Sequence, residues 1–170
     1  MLIKRHLQKE WRVGTFKGPY LREDIRTADE RRVDGMVFQA LQLADKAALV
    51  PAIGAAAKNG DVVLDRYWLS AYVYAQEDGF TDCDLLVEMH RCLPQPDVFL
   101  LLDVPVAVAI DRIARRARER DRYETVDIPV VAERIERYRA LWALWHRSET
   151  GVLPHASWIR IDASGSIEET

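Results

Sequence analysis

The chain is poor in cysteine and histidine, the side chains that most often cross-link a protein or hold a transition metal. Its 170 residues include two cysteines, Cys83 and Cys92, and four scattered histidines. Two cysteines cannot form the disulfide framework of a small secreted protein, and neither residue type has the spacing of a zinc site. We therefore expect two free thiols, as in a protein of the reducing cytoplasm.

The chain also lacks a long hydrophobic run and a strong net charge. Its longest apolar run, Val98 to Ile110, is interrupted by Asp103 and Pro105 and is too short to cross a bilayer. Charged residues follow Met1 closely, unlike the apolar core of a signal peptide. The net charge of −3 gives no general attraction to polyanions. We expect a cytoplasmic protein without a membrane or nucleic-acid partner.

Apolar spacing alternates between the helical and the strand period along the chain. The helical period predicts helices over residues 1–10, 33–59, 68–76, 83–93, 106–118 and 129–147. Short apolar runs predict strands over residues 12–16, 61–65, 97–103 and 158–162. Pro51 is expected to kink or divide the second helix. The alternation predicts an α/β fold in which helices cover both faces of a parallel sheet, within a single domain of residues 1–170.

Polar residues follow three of the four predicted strands. Lys17 comes after the first strand, Asp65 and Arg66 end the second, and Asp162 ends the last. At the end of the third strand, Asp103 precedes Val104-Pro105, which predicts a turn and a helix start. In parallel α/β sheets, ligands bind beyond the carboxyl ends of the strands. The polar residues at the other three ends therefore predict a ligand site there.

Four segments resemble, in order and spacing, motif segments of thymidylate kinases, the P-loop enzymes that phosphorylate dTMP with MgATP; the third is one residue shorter than the family's segment. They are LDRYWLSAYVYAQ (64–76), PDVFLLLDVPVAVAIDRI (96–113), RARERDRYE (116–124) and IDASGSIEE (161–169). The resemblance implies a three-layer P-loop NTPase fold and a nucleoside-monophosphate kinase that converts ATP and dTMP to ADP and dTDP. It also implies Mg²⁺ as cofactor and a homodimer.

The phosphate-binding motif of that family, GxxxxGK[ST], is absent from these residues. Residues 1–19 resemble the helix and strand that follow the motif, so the resemblance implies that the first, central strand precedes Met1. Residues 166–170 resemble the first turn of the family's last helix. We expect a longer native product, with a strand and GxxxxGK[ST] encoded within about 20 codons upstream of Met1. The 170-residue chain itself is expected to be weak or inactive as a kinase.

The resemblance assigns the catalytic groups at the end of the second strand to Asp65 and Arg66. A strand-end carboxylate suits Mg²⁺, which Asp65 would hold through water. The planar fork of Arg66 suits bidentate binding of the acceptor phosphate. The alternatives from the residues alone are a helix N-cap for Asp65 and a surface ion pair for Arg66.

Further residues are assigned to the acceptor by resemblance. Lys46 lies near the position of a phosphate-binding arginine of the family, and Lys17 at that of a strand-end arginine; each is alternatively a solvated side chain. Tyr74 matches a tyrosine packed against the deoxyribose, or it is core. Gln42 replaces the family's thymine-stacking phenylalanine, and Phe38, one turn earlier, is the alternative stacking residue. Fewer residues therefore match the family at the base than at the phosphate, so the resemblance supports a kinase more strongly than it supports thymine as the base.

Residues from about 112 to 124 resemble the lid that closes over ATP. The lid arginines with a predicted role are Arg116, Arg118, Arg120 and Arg122. Arg118 and Arg122 are predicted to supply positive charge in the transition state. The alternative, a nucleic-acid-binding patch, is disfavoured by the interleaved Glu119 and Asp121. The resemblance also places Ala163 and Ser164 in the loop beside the adenine.

Two other functions are compatible with the sequence. A deoxynucleoside kinase is compatible with Gln42, whose amide can hydrogen-bond a base edge. A catalytically inactive relative that binds nucleotide or only dimerises is the non-enzyme alternative. Assays of thymidine against dTMP, and of binding without turnover, distinguish these from a dTMP kinase.

Overall fold

A computed structural model describes residues 14–16, 21–31, 33–67, 69–80, 82–115, 124–145 and 156–166. The chain divides into two compact units, residues 1–94 and 95–170. Each unit contains a two-stranded parallel sheet with helices packed against it. The predicted α/β class is therefore confirmed. The predicted helix over residues 1–10 lies outside the described residues.

The first unit contains two short strands and four helices in the described residues. They are β1 (Gly14–Phe16), α1 (Arg22–Glu30), α2 (Gly35–Ala57), β2 (Val62–Leu64), α3 (Leu69–Ala75) and α4 (Cys83–His90). Strand β1 pairs in parallel with β2, with Gly14 opposite Val62 and Phe16 opposite Leu64. Helix α2 packs against α1, α3 and both strands. It is the scaffold of this unit.

Helix α2 begins where the sequence provides a capping residue. The Asp34 carboxylate accepts a hydrogen bond from the Met36 N–H at 2.9 Å, which satisfies a backbone donor of the first turn. The helix is not divided at Pro51, which lies inside it and is exposed. Water can solvate the carbonyl whose N–H partner the proline removes. Helix α2 ends at Ala57, close to the predicted stop at residues 59–60.

The core of the first unit is centred on α3, of which residues 71–75 are all buried. The start of α2 packs tightly onto the turn that follows α3. A Cβ at Gly35 would lie 2.0 Å from the carbonyl oxygen of Asp78, so only glycine fits there. The buried Gln39 donates a hydrogen bond to the Asp78 carboxylate at 2.6 Å. These contacts fix the amino end of α2 in the unit.

Helix α2 is also long and apolar enough, by length and composition, to cross a membrane, and among the described helices it alone is. Core helices of soluble proteins pass the same test. Helix α2 buries Gln39 and Asp45, and both side chains make hydrogen bonds to other parts of the unit. This helix therefore does not indicate a membrane protein.

The second unit contains β3 (Val98–Asp103), α5 (Val106–Ala114), α6 (Ile128–Trp145) and β4 (Ser157–Asp162). Strands β3 and β4 pair in parallel along their whole length, from Val98 opposite Ser157 to Asp103 opposite Asp162. Helix α6 packs on β3 and α5. The rings of Phe99 and Trp158 stack with their centroids 4.2 Å apart.

One face of the β3–β4 sheet is apolar and exposed. Val98, Leu100, Leu102 and Ile159 expose 46–56% of their surface, whereas Phe99 on the opposite face is buried. Parallel sheets are normally covered on both faces. In the described part of the chain, β2 and β3 lie in different sheets, and the further strand expected from the family resemblance stays a prediction.

Helix α1 was not predicted from the sequence. Its nine residues contain few apolar positions, so the helical period of hydrophobic residues is weak. Its charges carry the signal instead, because Arg26 forms ion pairs with Glu23 and Glu30 at i,i+3 and i,i+4. Charge spacing would have found this helix where apolar spacing did not.

Candidate functional site

The end of β2 brings together two residues that the sequence assigned to the acceptor. The Arg66 guanidinium donates a hydrogen bond to the Tyr74 hydroxyl at 3.0 Å. Its central carbon also lies 5.7 Å from the centre of the Tyr74 ring, within the range of a cation–π interaction. Tyr74 is held in buried helix α3. An exposed arginine is thereby anchored to a fixed aromatic side chain.

The backbone of Arg66 is in the left-handed region, with φ of 57°, and no other described non-glycine residue has a positive φ. For an L-residue this conformation costs about 1–2 kcal/mol. Such strain persists when the surrounding structure imposes it, and it clusters at functional sites. Asp65 comes directly after the last residue of β2, and Arg66 is the next residue. The turn thus directs the Arg66 side chain towards Tyr74 on α3.

Asp65 is exposed at the carboxyl end of β2. Within the described residues there is no group of three or more histidine, cysteine, aspartate or glutamate side chains that could hold a metal ion. Mg²⁺ does not require such a group, because it typically binds one or two carboxylates and completes its shell with water and substrate phosphates. An exposed Asp65 fits that kind of site.

Two further predicted acceptor residues, Gln42 and Lys46, lie one turn apart on α2. The Lys46 ammonium donates a hydrogen bond to the backbone carbonyl of Gln42 at 3.2 Å. Burial lowers the pKa of Lys46 to about 8, and the neighbouring Asp45 charge acts in the opposite direction. Asp45 is buried and accepts a hydrogen bond from the Leu21 N–H at 2.9 Å. Lys46 therefore loses its proton at a lower pH than an ordinary exposed lysine does.

Phe38 lies on the same helix but is 2% exposed, so its ring belongs to the core of the unit. This burial gives it a packing role, and its part in stacking on a base stays a prediction. Gln42 is half-buried and is the more accessible of the two candidates for contact with a base.

His90, to which the sequence assigned no role, is a buried neighbour of Lys46. Its Nδ1 lies 2.8 Å from the Leu86 carbonyl oxygen, one turn back on α4. Burial lowers the pKa of His90 to about 4, the Leu86 contact opposes that shift, and the Lys46 charge adds to it. His90 is thus neutral at physiological pH. Its relation to Lys46 depends on the packing of α4 and has no signal in the sequence spacing.

In the second unit, the loop after β4 contains the predicted adenine-contacting residues. The Asp162 carboxylate accepts hydrogen bonds from the backbone N–H of Ser164 at 2.9 Å and from its hydroxyl at 2.5 Å. These bonds hold the pKa of Asp162 below its ordinary value. Ala163 is buried, and its N–H donates to the carbonyl oxygen of Asp103 at 2.8 Å. The loop is therefore tightly held.

The first residue of the predicted lid contacts that same loop. Arg112, near the end of α5, donates a hydrogen bond to the Gly165 carbonyl at 2.7 Å. This bond joins residues 53 positions apart. Lys17 and the lid arginines Arg116, Arg118, Arg120 and Arg122 lie outside the described residues. Their roles stay predictions.

Asp103 has a structural role that the sequence did not show. Its carboxylate accepts hydrogen bonds from Arg139 Nε at 3.0 Å and Arg160 Nε at 2.9 Å, which links β3 to α6 and β4. Burial would raise the pKa of Asp103, but the two arginines outweigh it and hold the pKa below its ordinary value. The predicted turn and helix start after Asp103 are also present, because α5 begins with Pro105 as its N-cap.

Comparison with known proteins agrees with the motifs. The thymidylate kinase family model matches residues 1–170. A thymidylate kinase of Xylella fastidiosa is 35% identical over 113 residues, which cover 65% of this chain and 50% of the relative. That of Akkermansia muciniphila is 33% identical over 125 residues, 73% of this chain and 52% of the relative. That of Xanthomonas oryzae pv. oryzae is 37% identical over 92 residues, which cover 54% of this chain and 37% of the relative.

These matches also set the extent of the likeness. The chain spans about half the length of the first curated relatives that it matches. Each of these relatives is described as a thymidylate kinase, and the family model covers every residue of this chain. The chain therefore belongs to the thymidylate kinase family.

Proposed function

We propose that this protein is a nucleoside-monophosphate kinase that transfers the γ-phosphoryl group of ATP to dTMP. The family match over residues 1–170 carries the proposal. The arrangement at the end of β2 supports it, because an anchored arginine next to a strand-end carboxylate suits an acceptor phosphate.

In this proposal the first unit binds the acceptor. The Arg66 guanidinium has five N–H donors in a planar fork, and one of them is directed at the Tyr74 hydroxyl. A bidentate contact with a phosphate requires two further N–H donors of the same guanidinium. Lys46 adds a second positive charge on α2 when it is protonated, and Gln42 offers an amide to the base. The binding of dTMP should then depend more on Arg66 than on any other described residue.

The proposed cofactor is Mg²⁺, bound with ATP and held through water by Asp65. The metal would neutralise phosphate charge during transfer. Asp65 would orient it, and replacement by asparagine would keep the shape but remove the charge. We expect Asp65→Asn to weaken Mg²⁺-dependent binding of ATP while the affinity for dTMP alone changes little.

In the second unit, the proposed donor side contains the lid and the loop after β4. Arg118 and Arg122 would place positive charge on the migrating phosphoryl group. Ala163 and Ser164 would border the adenine. The contact between Arg112 and Gly165 supports this arrangement, because it joins the start of the lid to that loop.

Calorimetric titration tests the proposal. We expect saturable binding of dTMP to the purified 170-residue chain, a large loss of affinity in Arg66→Ala, and little change in the exposed control Lys58→Ala. A lack of binding by the folded chain would contradict the proposal. Tighter binding of thymidine than of dTMP would favour a deoxynucleoside kinase instead.

Turnover is a separate measurement. Because these residues contain no GxxxxGK[ST], we expect the 170-residue chain with MgATP and dTMP to fall far below the roughly 1–100 s⁻¹ of typical kinases. Ordinary rates would contradict this expectation and would require another phosphate-binding element.

We also propose a cytoplasmic homodimer that forms through α2. All ten exposed residues of α2 are apolar or glycine, among them Met36 and Val37 at about half exposure. The small side chains at the other exposed positions of α2 allow two helices to approach closely. We expect light scattering to show a dimer that Val37→Lys dissociates, whereas Val130→Lys on the exposed part of α6 leaves it intact. A monomeric chain, or equal effects of both variants, would contradict the proposal.

A further inference from the structure

The resemblance to thymidylate kinases places Tyr74 against the sugar, but its hydroxyl has a different contact in this structure. That hydroxyl receives a hydrogen bond from Arg66 at 3.0 Å, and the guanidinium carbon is 5.7 Å from the ring centre. Two features of one side chain, its oxygen and its aromatic face, thus act on the same guanidinium.

Tyr74 is well suited to hold another side chain in place. It is 7% exposed and is flanked on α3 by Val73 at 0% and Ala75 at 1%. A buried ring in a packed helix has little rotational freedom. Arg66 is exposed, and an exposed arginine loses considerable rotamer entropy whenever it is fixed by a ligand. A contact that fixes the guanidinium before the ligand arrives removes part of that loss.

The backbone of Arg66 points to the same conclusion independently. Its φ of 57° is unfavourable for a side chain with a Cβ, yet the turn after β2 adopts it. The turn leads into α3, on which Tyr74 lies eight residues after Arg66. The strained turn and the buried tyrosine therefore set the position of one cation together.

We propose that Tyr74 is a positioning residue that orients the Arg66 guanidinium for the acceptor phosphate. The proposal rests on the proposed function, and it differs from the sugar contact that the family resemblance implies. Tyr74 acts through Arg66. Its hydroxyl should therefore matter for ligands that carry a 5′-phosphate and should be unimportant for the same ligands without it.

The variant Tyr74→Phe tests this directly, because it removes the hydroxyl and keeps the ring. We expect its affinity for dTMP to fall about tenfold, as for the loss of a hydrogen bond to a charged group. Its affinity for thymidine should stay within about twofold of the wild type. The ratio of affinities for dTMP and ribothymidine monophosphate, which adds the 2′-hydroxyl, should not change.

Tyr72→Phe is the matched control. Tyr72 lies two residues earlier on the same helix, is 4% exposed, and loses the same hydroxyl in the variant. Both variants are compared under conditions in which circular dichroism shows them to be folded. Tyr72→Phe should bind dTMP as the wild type does. An equal loss of dTMP affinity in both variants would overturn the proposal, because it would show a general effect of altering α3.

A double-mutant cycle gives the most specific outcome. If Tyr74 acts through Arg66, then Tyr74→Phe should cause no further loss in an Arg66→Ala background. Additive losses would overturn the proposal, as would unchanged dTMP affinity in Tyr74→Phe alone. A wild-type chain that does not bind dTMP would instead contradict the proposed function. The two failures are therefore distinguishable.

Discussion

The strained turn at Arg66 predicts an inversion of the usual order of glycine and alanine. At an ordinary helical position, glycine is less stable than alanine by about 0.5–1 kcal/mol because it loses more backbone entropy on folding. At Arg66 the φ of 57° penalises any residue with a Cβ by about 1–2 kcal/mol. The second effect is the larger. We therefore expect Arg66→Gly to be more stable than Arg66→Ala by about 1 kcal/mol.

The comparison is informative because both variants lose the same side-chain contacts with Tyr74, so that loss cancels. Lys58 provides the control, since it is exposed and has a helical φ of −72° and ψ of −17°. Lys58 directly follows α2 and has a negative φ that alanine adopts without strain, so Lys58→Ala should be the more stable variant there by about 0.4–1 kcal/mol.

Urea denaturation of the full chain measures both differences. With a slope of about 2 kcal/mol per molar, 1 kcal/mol moves the midpoint by about 0.5 M. The Arg66 pair and the Lys58 pair should shift in opposite directions. If alanine is as stable as glycine at Arg66, the turn is not strained and the reasoning about its backbone fails.

The packing at glycine and strand positions and the titration of Lys46 can be tested as well. Gly35→Ala should lower the free energy of unfolding, measured by urea denaturation, by about 2 kcal/mol or more, because the new Cβ meets a backbone carbonyl. Gly54→Ala is the control: a Cβ there has nothing within 4 Å, so this variant should raise the free energy of unfolding by about 1 kcal/mol. In the same assay, Phe99→Ala should lower the free energy of unfolding by about 3–5 kcal/mol, because Phe99 is buried. Leu100, the next residue of β3, is half exposed, so Leu100→Ala should lower it clearly less. Similar losses in the two variants would contradict the described burial. The affinity for dTMP should fall as the pH rises through about 8, since Lys46 loses its proton there. Lys46→Arg should flatten this pH dependence, because arginine stays charged. An unchanged pH dependence in Lys46→Arg would exclude Lys46 as the titrating group.

The lowered pKa of Lys46 also makes the stability of the fold depend on pH. Its pKa in the folded chain, about 8, is below the ordinary value of 10.5. Between these values the unfolded chain binds more protons than the folded chain, so this group makes the fold more stable as the pH rises through that window. Replacement by methionine should remove that contribution in a series of urea titrations. A stability profile that Lys46→Met leaves unchanged would contradict the described burial.

Much of the fold was predictable because local patterns determined it. The apolar spacing of residues 33–59 predicted α2, and the apolar run before Asp65 predicted β2. The charge-rich helix α1 was not predicted, because few of its residues are apolar. The uninterrupted course of α2 through Pro51 depends on exposure, which the sequence does not show directly.

The candidate site was predictable as a set of residues but not as a set of contacts. Motif order identified Arg66 and Tyr74, whereas the hydrogen bond between them depends on how the turn after β2 meets α3. Asp103 illustrates the limit more strongly. Its two arginine partners are 36 and 57 residues away, so no local pattern can reveal them. Contacts of this kind arise only once the strands and helices have packed.

We have proposed that the turn at residues 65–67, together with Tyr74, forms the acceptor-phosphate site of a dTMP kinase. Nuclear magnetic resonance of the ¹⁵N-labelled chain during titration with dTMP can test whether this turn binds the nucleotide. We predict saturable shifts of the backbone amides of residues 65–67 and of those around Tyr74, with much smaller shifts when thymidine replaces dTMP. If the resonances of the amides at this turn do not shift at saturating dTMP, the acceptor phosphate does not bind there.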